Sequence, residues 1–106
     1  MENITEEIWR DKIANDHDAI ILDVRTPAEW REGILENAIC VDIHEQDNFL
    51  SEMEKADKSK NYYIYCRSGQ RSAHACKVLD QLGAKNTYNL IGGIMAWSGE
   101  VVSYKE

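Results

Sequence analysis
The sequence predicts an α/β fold, a three-layer sandwich whose mainly parallel central sheet is flanked by helices. Two observations carry this reading. Short apolar runs, AIILDV at 19–24, NYYIYC at 61–66 and TYNL at 87–90, alternate with segments that open on helix-starting signals. The runs are continuous, as in strands covered on both faces, where strict polar–apolar alternation is lost. The length of 106 residues adds a bound. Single cores serve chains of roughly 50–200 residues, so one domain over 1–106 is expected.

Taken in order, Ile4, Ile8, Trp9 and Ile13 recur at helical spacing behind acidic residues, which predicts a helix over 4–13. Ala19 to Val24 is the first buried strand. Thr26, Pro27 and Glu29 then place a capping residue, a first-turn proline and a third-position acid, so a short helix follows and stops at Gly33. Ala38 to Val41 reads as a second buried strand. Asp47 can cap a helix with Phe49, Leu50 and Met53 on one face, and a charged connector leads from Lys55 to Asn61. The strand over 61–66 delivers Cys66 at its carboxyl end. A helix over about 72–82 follows, ended by Gly83, and the strand over 87–90 leads into the Gly92-Gly93 turn, one helical turn at IMAW and a polar tail. In parallel sheets ligands gather beyond the carboxyl ends of the strands, where Asp23, Cys66 and Gly92 lie.

Composition narrows the function. Twelve Lys and Arg against nineteen Asp and Glu give a net charge of −7, which repels nucleic acid and anionic membranes. The acidic N-terminal stretch lacks a signal-peptide pattern, and no apolar run approaches the length of about 18 residues that a membrane span needs, so a cytoplasmic location is expected. Three cysteines without C-x-x-C spacing fit a reducing compartment better than a disulfide framework. The scattered His17, His44 and His74 offer no zinc spacing; neither a metal nor a cofactor is expected.

The segment CRSGQRS at 66–72 concentrates positive charge around one thiol. A loop between a strand end and a helix start can aim its own amides, and those of the first helical turn, at the sulfur. Gly69 supplies the backbone freedom such a wrap requires. The helix N-terminus, Arg67 and Arg71 add positive field, and a thiol in such surroundings ionises readily. A thiolate is a nucleophile, and here no histidine base is needed to form it. Phosphatases of this type place five residues between cysteine and arginine; Cys66 and Arg71 have only four between them. One residue fewer shortens a closed loop by up to about 3.5 Å of contour. The smaller cradle favours a single added sulfur, a persulfide, over a phosphoryl group.

This loop resembles the active-site loop of rhodanese-domain sulfurtransferases in its six-residue form. ILDVRTPAEW at 21–30 and YNLIGGIMAW at 88–97 resemble two further signatures of that family, so the likeness spans residues 3 to 98. The resemblance implies a rhodanese-like fold and a Cys66 that takes a sulfane sulfur from a small anionic donor such as thiosulfate, passing it to a thiol or cyanide acceptor. The chain departs from the family's usual Gly-His-Ile-x-Gly-Ala at Gly33 to Ala38, where Ile34 replaces the histidine.

The candidate site therefore comprises Cys66 as nucleophile, with Arg67, Ser68, Gly69, Gln70 and Arg71 at the substrate and Asp23, Arg25 and Ser72 supporting the loop. Two roles stay open for Arg71, donor binding and tying the loop to the domain. Asp23 and Arg25 read as an ion pair holding the loop layer, with a catalytic pair as the alternative. Cys40 and Cys76 read as core, and Cys76 also as a regulatory thiol. A persulfide carrier loaded by a partner protein is the competing function; a phosphatase or arsenate reductase is disfavoured by loop length.

Overall fold
A computed structural model describes residues 1–105. Five strands, β1 (Glu2–Ile4), β2 (Ala19–Asp23), β3 (Ile39–Cys40), β4 (Asn61–Tyr65) and β5 (Asn86–Leu90), form one sheet in the order β1-β5-β4-β2-β3, with every ladder parallel. Helices α1 (Glu6–Ala14), α2 (Pro27–Trp30), α3 (Gln46–Lys55) and α4 (Gln70–Gln81) provide the connections, and a 3₁₀ turn (Ile94–Ala96) follows β5. The α/β sandwich read from the sequence is the architecture found.

The central strand β4 explains the two-sided core. Tyr62, Ile64 and Cys66 face one way, into a cluster with Phe49 and Met53 of α3 and Ala75, Cys76 and Leu79 of α4. Tyr63 and Tyr65 face the other way, against Trp9 of α1, Ile4, Leu35 and Leu90, with Trp97 packed at the margin. Successive side chains of a strand point to opposite faces, so a run apolar at every position fills both layers. No helix among the described residues is long and apolar enough to cross a membrane.

Local rules explain four departures from the expected elements. Ile4 belongs to a strand: it pairs with Leu90 at the sheet edge, and Thr5 then caps α1 by accepting from the Ile8 amide. The Ala38 to Val41 segment is an edge strand of two residues, with Ile39 about half exposed, because among the described residues no strand pairs beyond it. Glu45 takes the cap position of α3 while Asp47 lies inside the first turn, where it still meets the helix dipole; Leu50 faces out. Helix α4 begins at Gln70, two residues before the expected Ser72, since Gly69 at φ 110° turns the chain directly into it.

Candidate active site
Cys66 follows the last residue of β4, and the loop from there to Gly69 returns onto its own sulfur. Gly69 donates its amide to Cys66 Sγ at 3.1 Å, and the Ser72 hydroxyl lies 3.3 Å from the same atom. Burial of Cys66, 1% exposed, pushes the thiol up, but hydrogen bonds from the Ser72 hydroxyl and the amides of Ser72, Gly69 and Ser68 outweigh it. The thiol therefore lies below its ordinary value. This field is made by neutral donors at the start of α4, the arrangement that favours an anion at a helix N-terminus.

The two loop arginines contribute less to it than the sequence implies. Arg71 grips Glu29 through both terminal nitrogens, at 2.7 and 2.9 Å, and reaches Cys66 only through its charge. Of the two roles left open for Arg71, the tie between loop and α2 is the one with a contact in the structure. Arg67, Ser68 and Gln70 are exposed. Beside Arg67 a recess of about 240 Å³ is lined by Arg25, Glu29, Glu32, Ile94 and Met95.

Below the loop, Asp23 is fully buried at the end of β2. It accepts from Arg25 Nε at 3.0 Å and Nη2 at 2.7 Å, from Trp30 Nε1 at 3.1 Å and from the Tyr65 hydroxyl at 2.6 Å. Arg25 also donates to the Gly33 carbonyl at 2.7 Å, and Tyr65 accepts from the Leu35 amide. A buried charge pair needs such extra bonds to offset its lost hydration. The pair has no contact with Cys66 among these bonds; it joins the end of β2 to Trp30, Gly33 and Tyr65. Above the loop, the turn after β5 presses on its backbone: Ile94 N–H bonds to the Cys66 carbonyl at 2.9 Å and Met95 N–H to the Arg67 carbonyl at 3.0 Å. A β-carbon at Gly93 would overlap those same two carbonyl groups, so glycine is required there.

The loop residues, Asp23 and Arg25 thus share one edge of the sheet. Three contributors were not singled out from the sequence: Glu29 as the partner of Arg71, Tyr65 as a donor to Asp23, and Asn89, which bonds to both Ser72 and Gly69. Asn89 carried a usable signal, since it sits at the carboxyl end of a strand beside Gly92. No cluster of three or more metal-binding side chains occurs among the described residues.

The family model of the rhodanese-like domain matches residues 6–100. The chain belongs to this family. YtwF of Bacillus subtilis, provisionally named a sulfurtransferase, is 38% identical over 100 residues that cover 94% of this chain and 93% of YtwF. A sulfurtransferase of Allochromatium vinosum is 37% identical over 98 residues, 92% of this chain and 89% of that protein. The crystal structure of a rhodanese-like domain protein from Staphylococcus aureus superposes with a TM-score of 0.84 at 29% identity, over 99% of this chain and 100% of that one. Within this rhodanese-like domain, the unusual Ile34 is buried and pairs through its backbone with Val102, at 2.9 and 2.8 Å. The isoleucine thus lies under the C-terminal segment and away from the sulfur-facing donors.

Proposed function
We propose that this rhodanese-like domain is a sulfurtransferase working through a persulfide on Cys66. The convergence of the Gly69 and Ser68 amides and the Ser72 hydroxyl on one buried sulfur supports the reading, because it stabilises an anion there without a base. The Cys66 thiolate attacks the outer sulfur of thiosulfate or a similar donor. The bond to the sulfonate sulfur breaks and its electron pair leaves with sulfite. An acceptor thiolate or cyanide then attacks the terminal sulfur and regenerates the Cys66 thiolate, a two-step exchange that gives ping-pong kinetics. Arg67, exposed at the mouth of the recess, draws in the anionic donor, with Ser68, Gly69 and Gln70 contributing loop contacts. We place the reaction in a reducing compartment such as the cytoplasm, where Cys40, Cys66 and Cys76 remain thiols.

Intact-mass measurement tests this directly. Incubation with thiosulfate should add one sulfur atom, and cyanide or a thiol should remove it. Cys66→Ser should gain nothing and transfer nothing. Sulfur loading or transfer that survives this substitution refutes the assignment, and loading only from a partner protein makes the chain a carrier instead.

A further inference from the structure
Asn89, 5% exposed in β5, is a tightly held polar side chain beside the sulfur. Its Nδ2 donates to the Gly69 carbonyl at 3.1 Å and to Asn3 Oδ1 at 3.0 Å. A backbone carbonyl only accepts, so the carboxamide has one orientation and its Oδ1 faces Ser72. Ser72 Oγ lies 2.5 Å from that oxygen and 3.3 Å from Cys66 Sγ, and Ser72 is fully buried, with no access to water. A hydroxyl has one hydrogen to give. Two acceptors therefore compete for it.

We propose that Asn89 is a positioning residue that sets the direction of the Ser72 hydroxyl hydrogen: towards Asn89 Oδ1 while Cys66 is a thiol, and towards the sulfur once Cys66 is a thiolate or carries a transferred sulfur. The inference rests on the reading of Cys66 as the reacting thiolate. In the thiol form, Cys66 S–H donates to Ser72 Oγ and Ser72 O–H donates to Asn89, so every polar atom is matched. In the thiolate form the Ser72 hydrogen turns to sulfur, and Ser72 Oγ and Asn89 Oδ1 are left as two oxygens in close contact without a hydrogen between them. That mismatch opposes ionisation. The competing pull of Asn89 thus restrains a thiol that the loop amides otherwise drive towards the anion, and it takes the hydroxyl back whenever the discharged thiolate picks up a proton. Asn89 also holds the Gly69 carbonyl, which keeps the Gly69 amide aimed at Sγ.

Other charges around the sulfur do not blur the reading. Arg71 on α4 stays a cation in its pair with Glu29, and burial pushes the neighbouring Cys76 thiol up to about 12, so neither changes state while Cys66 titrates. Arg67 lies on the exposed loop, and Asp23 on β2 is engaged by Arg25.

The rate of Cys66 alkylation against pH, measured in the full chain, in Asn89→Leu, in Ser72→Ala and in the double variant, tests the proposal. With Ser72 present, Asn89→Leu should lower the midpoint by about one pH unit, the scale of one hydrogen bond to a charged acceptor. In the Ser72→Ala background the same change should leave the midpoint in place or raise it, since only the Gly69 restraint is lost. Equal shifts in both backgrounds overturn the proposal. A second measurement needs no Asn89 variant: the side-chain carbonyl carbon resonance of Asn89 should titrate with the alkylation midpoint and stay flat in Cys66→Ala. A flat resonance in the unaltered chain overturns the proposal as well. Neither readout involves sulfur transfer, so failure here and failure of the sulfurtransferase reading are distinguishable.

Discussion
The carboxylate of Glu29 holds two structures at once: the start of α2, through the Thr26 amide and hydroxyl, and the cysteine loop, through Arg71. The Arg71 guanidinium, with help from Thr26, brings its carboxyl from the usual range down to about 2. A carboxylate held below its unfolded value adds stability that is complete above about pH 4.5 and is lost as pH falls towards 2. Thermal unfolding between pH 6 and pH 2 should therefore show Glu29→Gln losing on the order of 1 kcal/mol against the unaltered chain at the upper end, the scale of a pair that solvent partly screens, with the gap closing below about pH 3. A gap that is constant with pH would mean that Arg71 gains nothing from the charge. The capping half of this role is legible from Thr26 and Glu29, which stand three positions apart. The loop-tying half joins residues 42 apart, and no local pattern encodes which acid an exposed-looking arginine will find. For the same reason Cys66 could be read from its neighbours and Asn89 only from its place near a strand end, whereas the contacts of Asn89 and of the Tyr65 hydroxyl could not, since Gly69, Ser72, Asn3 and Asp23 all lie far from them in sequence.

Between β5 and the 3₁₀ turn, the chain folds back onto the cysteine loop, and the paired glycines there have different duties from Gly83 at the end of α4. Gly93 adopts φ 58° and ψ −162°, a conformation that side chains do not tolerate, and a β-carbon there would run into the Cys66 and Arg67 carbonyl groups. Gly83, at φ 96°, has nothing within 4 Å of the place where a β-carbon would stand. Gly93→Ala should push the loop amides off the sulfur and reduce the alkylation rate at neutral pH at least tenfold, whereas Gly83→Ala should cost about 1 kcal/mol of stability and leave that rate alone. Equal alkylation rates in the two variants would show that the turn does not brace the loop. Elements declared by their own composition, such as β2, β4 and the capped start of α2, are legible in the sequence because continuous apolar runs and caps act locally. The misplaced elements are those that depend on a neighbour. The Ile4 strand exists because β5 offers an edge to pair with, Ile39 is exposed because β3 ends the sheet among the described residues, and Leu50 is exposed because it lines an open recess beside His74 and Val78 of α4.

Across the whole molecule, the chain's two ends are put to use on separate parts of the sheet. The first strand closes the β5 edge, and Asn3 beside it reaches the Asn89 carboxamide. The last residues cross the other end of the fold, where Val102 pairs with Ile34 and the Tyr104 ring packs 5.4 Å from that of Trp30. Composition shows only a polar tail, because the apolar residues Val101, Val102 and Tyr104 are too few to form a periodic pattern. Their contacts nonetheless cover Trp30, whose indole donates to the buried Asp23 carboxylate, and Ile34, which follows the Gly33 carbonyl bound by Arg25. The tail thus bears on the ion pair under the loop through Trp30 and Ile34. Truncation after Glu100 removes this cover and the two Ile34–Val102 backbone bonds, an expected loss of about 2 kcal/mol, which in a domain of this size lowers Tm by roughly 8–16 °C. Adding Val102→Pro to the full-length chain separates the contributions: proline removes the amide that bonds to Ile34 but leaves Tyr104 available to pack. If the tail acts by bracing Asp23 and Arg25, the truncated chain should also become more sensitive to salt near its melting point, and Tyr104→Ala in the full-length chain should reproduce part of that sensitivity. A truncated chain with unchanged Tm would show that Trp30 and Ile34 hold the ion pair by themselves.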